Sequence, residues 1–426
     1  MTCKQITKKV VALLVLVLVG QWTVGQQAPD GSPLPSQLSL QAAMELMLRQ
    51  NPLLQSERQN MKIADANVRQ ARLLPNPDFE VNSESYPIFE SQPGSFLNNQ
   101  ELTFRAGQTI ETGGKRGKRT RVARNELSAT GSDLENTIRQ LRLEVKRRYY
   151  TVVLAKSQHD LAQENLKQFD EIIQLNEARF KQGELSGLEI NRVRAERLRF
   201  FTDVLDSDLQ LKNAKTALLE LLGISDLGAP FDVAEKLGGG FGPPLPLPDL
   251  QAQALQTRPD LLAAQQRLER NRSDVQLQKS EALPNVTPSF GYKRDFGVNT
   301  AVFGVTLPLP LFNRNQGGVA RADAQVEQQR HEVQRAVLAV RRDVQESYQV
   351  LDTQAQKVRA MEENYVPSAR NARDIGQQSY RLGALDLIAL LDAERVYRDT
   401  VRSYNQALYD YKAAVFQLEA AVGKEF

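Results

Sequence analysis

Cysteine and histidine are almost missing from this chain: 426 residues hold one cysteine, Cys3, and two histidines. With one thiol no intrachain disulfide forms, and without a Cys/His cluster a zinc or soft-metal site has no ligand set within one copy. His331-Glu332 begins a zinc-protease pattern, but Arg335 stands where the second histidine belongs, and His159 lies among polar helical residues. No catalytic cluster and no cofactor motif is visible, so the sequence does not read as an enzyme. Long apolar runs are equally scarce. The one example, Val10 to Val19, follows Lys4, Lys8 and Lys9 and precedes the small residues around Gly25. That run is shorter than the roughly 20 residues a bilayer helix needs, so residues 1–25 read as a secretory signal peptide, with a retained N-terminal anchor as the other reading.

Setting the leader aside removes Cys3, the single tryptophan Trp22 and three lysines. It leaves 51 basic against 51 acidic residues and a net charge of zero. A neutral mature chain argues against nucleic acid as a partner.

What is present repeats. Asn51-Pro52-Leu53-Leu54 matches Pro259-Asp260-Leu261-Leu262, and Leu74-Pro75-Asn76 matches Leu283-Pro284-Asn285. Phe180-Lys181-Gln182-Gly183 matches Tyr380-Arg381-Leu382-Gly383, and Leu222-Gly223 matches Val422-Gly423. The organisation this predicts is a loose segment 26–37, a first repeat 38–222, a linker 223–248 and a second repeat 249–423. In the linker, 11 of 26 residues are Gly or Pro, which breaks any regular element. Each repeat is expected to hold one helix of about 30 residues, a β-hairpin (78–111 or 287–309) and a very long helical hairpin. Leu134, Ile138, Leu141, Val145, Tyr149 and Val152 form a 3–4 stripe, and neither Pro nor Gly falls between Ser132 and Gln182. A helix over 116–179 would be on the order of 95 Å long.

In 101-ELTFRAGQTIE-111, Leu102, Phe104, Ala106 and Ile110 alternate with polar residues. In 300-TAVFGVTLPL-309, Ala301, Phe303, Val305, Leu307 and Leu309 share one face. Such strands suit a half-buried soluble hairpin, or a transmembrane β-strand of about ten residues. If they cross a membrane, four strands cannot close a barrel, and several copies must pool them.

The stretch 107-GQTIETGGKRGKRTR-121 concentrates positive charge. It fails the phosphate-loop pattern, because Thr109 stands five positions before Gly114 and Arg116 follows Lys115. It also lacks the aromatic residues that would stack on bases. Gly113, Gly114 and Gly117 read as a bend from strand into helix. Beside a membrane, Lys115, Arg116, Lys118 and Arg119 would meet lipid phosphates there.

Leu74-Pro75-Asn76-Pro77-Asp78, Gly107 to Arg116, and Leu307-Pro308-Leu309-Pro310-Leu311-Phe312-Asn313-Arg314-Asn315-Gln316-Gly317 together resemble the TolC family of outer-membrane efflux channels, in particular its cobalt-zinc-cadmium branch. The likeness spans residues 38–423. It implies a mainly α fold in which long antiparallel helical hairpins form an α-barrel. Four amphipathic strands per chain would contribute to a 12-stranded transmembrane β-barrel in a homotrimer. The implied role is that of a passive outer-membrane duct with a long periplasmic extension, no cofactor and no resident metal. Its implied partners are a periplasmic adaptor (membrane fusion) protein and an inner-membrane pump of the resistance-nodulation-division type. Cargo stays open among metal cations, drugs and, for a type I secretion duct, polypeptide. A soluble periplasmic coiled-coil scaffold or adaptor is the rival reading, although no lipoyl-like domain is visible.

By the same resemblance the periplasmic gate falls on Glu189, Tyr380 and Asp392, and Asp386, at the second turn, is taken with them as a further gate carboxylate. The adaptor-contacting tips fall on Gly183, Glu184, Leu185, Gly383, Ala384 and Leu385. Leu385 stands where the family has a gate arginine, and Ala389 replaces an aspartate. Glu189, Asp386 and Asp392 could ring the opening with carboxylates, or cap the helices that follow each turn.

Overall fold

Proline places the first break in each half of the chain. The computed structural model describes residues 34–85, 100–238 and 246–425, all elements lying in the unit that begins at Ser36. The leader, most of 26–37, and parts of the 78–111 hairpin and the 223–248 linker lie outside the described residues. From Ser36 the chain forms β1 (Gln37–Leu38), α1 (Leu40–Gln50), α2 (Pro52–Ala71), β2 (Asp78–Glu84), β3 (Glu101–Gly107), α3 (Lys115–Lys181) and α4 (Gly187–Leu222). The same order follows in β4 (Asp232–Val233), α5 (Leu247–Thr257), α6 (Pro259–Glu281), β5 (Thr287–Asp295), β6 (Val298–Thr306) and α7 (Gln316–Ala360). A π-helical turn (Met361–Tyr365) joins α7 to α8 (Val366–Arg381), and α9 (Leu387–Val422) ends the fold.

The expected helix of about 30 residues is in each half two helices. The residue before each proline is driven to extended backbone, ψ 122° at Asn51 and 116° at Arg258, which ends α1 and α5. Both junction residues are buried and reach a long helix of their own half. Asn51 Nδ2 donates to Leu221 O at 2.7 Å, and Arg258 donates to Ala421 O at 3.1 Å while gripping Asp260 and Asp343.

Helix α3 runs 67 residues, on the order of 100 Å. Its stripe Leu141, Val145, Tyr149 and Val152 is buried, and Tyr149 donates to Leu38 O at 2.8 Å. A second core gathers Leu250, Leu261, Val340, Val344, Leu351, Leu408, Tyr411 and Leu418 from α5, α6, α7 and α9. The corresponding arm of the second hairpin is not uniform. Pro367, inside the helix, lacks the N–H that a helical ladder needs, and its ring crowds the carbonyl one turn back. The wide turn at Met361–Tyr365 sits over that position, letting the rod continue.

Strands β1 and β4 pair in parallel by themselves, and the other four form one sheet in the order β2-β3-β5-β6, all antiparallel. Register sorts the sheet by face, because directly opposed residues point the same way. One set of rungs is Phe79–Ala106–Phe290–Phe303 and Val81–Phe104–Tyr292–Ala301, with Pro288–Val305 beside them. The other is Glu80–Arg105–Gly291–Val302 and Asn82–Thr103–Lys293–Thr300. On the first face Phe79, Phe303 and Val305 are more than two-thirds exposed. Gly291 is where the halves meet: a Cβ there would lie 2.4 Å from Phe104 O.

Candidate functional site

The two helical hairpins turn at matching glycines, Gly183 with φ 78° and Gly383 with φ 75°. Each following helix begins with a side-chain cap. Ser186 accepts from Glu189 N, and Glu189 accepts from Ser186 N at 3.0 Å, a reciprocal box. Asp386 accepts from Ala389 N at 2.8 Å. Glu189 and Asp386 are therefore helix caps in this fold. Bonds from the Ser186 backbone and hydroxyl hold the exposed Glu189 carboxyl below its usual range, favouring its ionised form. Asp392 is instead paired with Arg395, one turn on, at 2.7 Å.

Tyr380 is buried at the join of the hairpins. Its hydroxyl donates to Asn176 Oδ1 on α3 at 2.5 Å, and Asn176, itself fully buried, donates to Ile172 O. Burial pushes the Tyr380 phenol up, against the pull of the Asn176 bond. Arg179, also on α3, crosses to the end of α8. It donates to Arg381 O at 2.8 Å and to Tyr380 O at 3.4 Å, and its guanidinium lies 5.4 Å from the Tyr380 ring centre. A cation on the last carbonyls of a helix complements its dipole. Around these polar ties Phe169, Ile172, Val193, Phe200 and Leu390 form an apolar cluster, with Leu385 packed against it. A cleft of about 610 Å³ opens beside Tyr380, bordered by Glu171, Leu175, Gln377 and Arg381. One helical turn above, Gln377 donates to the buried carboxylate of Glu394 at 2.5 Å, joining α8 to α9.

Among the tip residues, Gly183, Glu184, Gly383 and Ala384 are exposed and Leu185 is half-buried. Leu385 is half-buried too, and packs against the apolar cluster. The exposed apolar residues at the tips are Leu188, Leu382 and Ile388, at 65%, 84% and 65% exposure. Those three, with Asn176 and Arg179, are the residues that sequence reasoning missed. Leu382 carried a signal, since a leucine beside a turn glycine has no stripe to join.

The bend at Gly113 and Gly114 is present, both with left-handed φ (64° and 69°). Its cations are not all free for lipid. Lys115 is buried, donating from Nζ to Leu283 O at 2.7 Å and Asn285 Oδ1 at 2.6 Å, with Glu281 at 3.7 Å. Arg119 holds Glu111 and donates to Ala71 O and Leu73 O. The expectation that Lys115 and Arg119 meet phosphate is therefore corrected: these two tie the helix to the sheet linkers. Arg116 remains exposed and Lys118 half-buried. The histidines form no ligand set, and His159 lies 3.1 Å from the Ser207 hydroxyl. Among the described residues no group of three His, Cys, Asp or Glu is placed to hold a metal.

A two-faced antiparallel sheet joined to helical rods of such length suits an outer-membrane duct with a periplasmic helical extension, and comparison with known proteins gives that class. The chain belongs to the family described as outer membrane efflux protein, whose profile matches residues 43–224 and 250–424. It is 25% identical to the cobalt-zinc-cadmium resistance protein CzcC of Cupriavidus metallidurans, over 84% of this chain and 83% of that protein. To the pyoverdine export outer membrane protein OpmQ of Pseudomonas putida it is 25% identical, over 79% and 77%. Its fold matches the CmeC outer membrane channel of Campylobacter jejuni with a TM-score of 0.76 at 17% identity, over 90% of this chain and 85% of that one. The protein is thus an outer-membrane efflux channel, the exit component of an efflux system, and not an enzyme. The rival of a soluble scaffold or adaptor falls with that assignment.

Proposed function

We propose that three copies of this chain close one twelve-stranded barrel and one helical tunnel, and that the duct carries metal cations outward. The observation that carries the closure is the pair of open edges. Strands β2 and β6 bound the sheet and run in opposite directions, so β6 of one copy can pair antiparallel with β2 of the next. Hydrocarbon tolerates no unpaired edge, and the rungs bearing Phe79, Phe290 and Phe303 then face lipid. The opposite face turns to the lumen. Among the described residues its carboxylates Asp78, Glu80, Glu84, Glu101 and Asp295 outnumber its cations Arg105 and Lys293 by three per copy. A lumen of that sign favours cations, and the resistance protein CzcC supports a metal cargo.

At the far end two ties, Tyr380 on α8 to Asn176 and Arg179 on α3 to the end of α8, are the resting closure of each copy, with Glu189, Asp386 and Asp392 as acidic groups around the mouth. The tips at Gly183, Glu184, Leu185, Gly383 and Ala384, with Leu188, Leu382 and Ile388, meet a periplasmic adaptor, through which an inner-membrane pump of the resistance-nodulation-division type delivers the cargo. Arg116 and Lys118 lie beside lipid phosphate.

The test is conductance of the detergent-extracted protein in a planar bilayer under a salt gradient, with its mass measured by light scattering. A trimer giving discrete cation-preferring channels is expected. A species of other copy number would overturn the twelve-stranded closure, and a trimer with anion preference would overturn the cation lumen.

A further inference from the structure

The segment that leaves the sheet after β6 is unusual in composition and in how it is held. Residues 307–314 read Leu-Pro-Leu-Pro-Leu-Phe-Asn-Arg. Leu309 is 69% exposed, Leu311 65% and Phe312 92%. Water-facing loops are rarely built from leucine and phenylalanine, and a contiguous apolar patch of this kind marks an interaction surface.

The loop is nonetheless well tied. Leu311 N donates to Leu309 O at 2.9 Å, and Gln316 donates to Phe312 O at 3.2 Å. Arg314 Nε donates to Pro310 O at 3.3 Å, and its backbone N–H donates to Gln316 Oε1 at 2.8 Å. Asn315 Nδ2 anchors the far end on α6, donating to Gln278 O at 2.9 Å. Pro308 and Pro310 have no N–H to satisfy. The N–H groups of Leu311 and Arg314 and the carbonyls of Leu309, Pro310 and Phe312 are thus paired locally, while the apolar side chains stay exposed, which lowers the cost of entering a poorly hydrated boundary.

Position identifies the occupant. Leu307 and Leu309 continue the parity of Ala301, Phe303 and Val305, the apolar face of β6. The other three junctions at this end of the sheet carry exposed apolar residues too: Leu73 and Leu74 before β2, Ile110 after β3 and Leu283 before β5, between 49% and 59% exposed. Just beyond the loop stands the exposed Arg314. An apolar collar continuous with a lipid-facing sheet and edged by a cation matches the boundary of acyl chain and headgroup in a phospholipid leaflet.

We propose that Leu309, Leu311 and Phe312 form an interfacial anchor that inserts into the periplasmic leaflet of the outer membrane. This rests on the lipid-facing assignment of the sheet. The anchor fixes the height at which the barrel gives way to the helices.

Tryptophan fluorescence tests it in the full chain, reconstituted in phosphatidylethanolamine/phosphatidylglycerol vesicles, with Trp22→Phe removing the native indole. Single reporters are placed by Phe312→Trp, Leu311→Trp, Phe303→Trp on the sheet and Leu382→Trp at a hairpin tip. Lipids brominated near the headgroup are expected to extinguish most of the emission at 311 and 312, which should be blue-shifted, while aqueous iodide quenches 382. If iodide alone reaches 311 and 312 while brominated lipid quenches 303, the loop lies in water and the anchor is overturned. If neither quencher reaches them, another protein surface covers the loop, and the anchor is overturned in that case too. If brominated lipid fails at 303 as well, the lipid-facing reading of the sheet has failed, and the anchor with it.

Discussion

Tyr380→Phe removes a single oxygen and tests the closure of the hairpins most cleanly. In the closed arrangement the phenol donates to Asn176 Oδ1 at 2.5 Å, and Asn176 is fully buried. The variant leaves that oxygen unsatisfied away from water, at a cost of about 1–3 kcal/mol. Once α3 and α8 part, water reaches Asn176 in both proteins, so the cost falls on the closed state alone. The closed-to-open ratio should drop by about 5- to 150-fold. Arg179→Ala loses two bonds to carbonyls at a partly exposed position and should shift the ratio less, by about 0.5–1.5 kcal/mol. Because Arg179 also lies over the Tyr380 ring, the double variant should fall short of the sum. Open probability in planar bilayers reads all three. An unchanged open probability in a Tyr380→Phe protein that assembles normally would refute the idea that this bond holds the resting state.

Two other expectations concern parts of the fold away from that bond. Lys115→Met strips a buried ammonium from Leu283 O and Asn285 Oδ1 and should cost about 1.5–3 kcal/mol. Arg116→Ala should stay within about 0.5 kcal/mol, and equal losses in thermal denaturation would contradict the division made between these two cations. Glu394 is buried, and burial lifts its carboxyl above the ordinary range against the pull of Gln377, Arg373 and Arg398. The folded form therefore holds its proton at pH values where the unfolded chain has released it. The contribution is full below the unfolded value, near 4.3, and is lost as pH rises through the raised folded one. Acidification should therefore stabilise the parent relative to Glu394→Gln, and parallel melting curves for the two from pH 7 to pH 4 would refute the assignment.

Much of the architecture was legible because it is written in period. Alternation over 101–111 and 300–309 marked the strands and the face each residue takes. The 3–4 stripe from Leu134 to Val152 marked α3. What stayed hidden depends on distance in sequence. Asn176 and Arg179 are ordinary polar helix residues until Tyr380, about 200 positions later, is laid against them. Lys115 and Arg119 looked like a surface charge run, because nothing local shows that carbonyls of Leu283 and Leu73 lie within reach. The acids after each turn carried two meanings that sequence could not separate, and Glu189 and Asp386 serve as caps while Asp392 does not. The π-helical turn had a local sign in Pro367, yet a proline forecasts a disturbance without saying whether the rod breaks, kinks or widens.

The open edges of the sheet bear on how the protein is made as well as on what it becomes. A chain whose β2 and β6 both present bare backbone cannot rest alone in hydrocarbon, and in water it offers two templates for wrong partners. Under the three-copy closure proposed above, insertion and subunit capture are one step instead of two, and the yield of finished ducts should rise more steeply than linearly with the supply of chains. A cell making too few copies would accumulate stranded precursors prone to aggregation, not small pores.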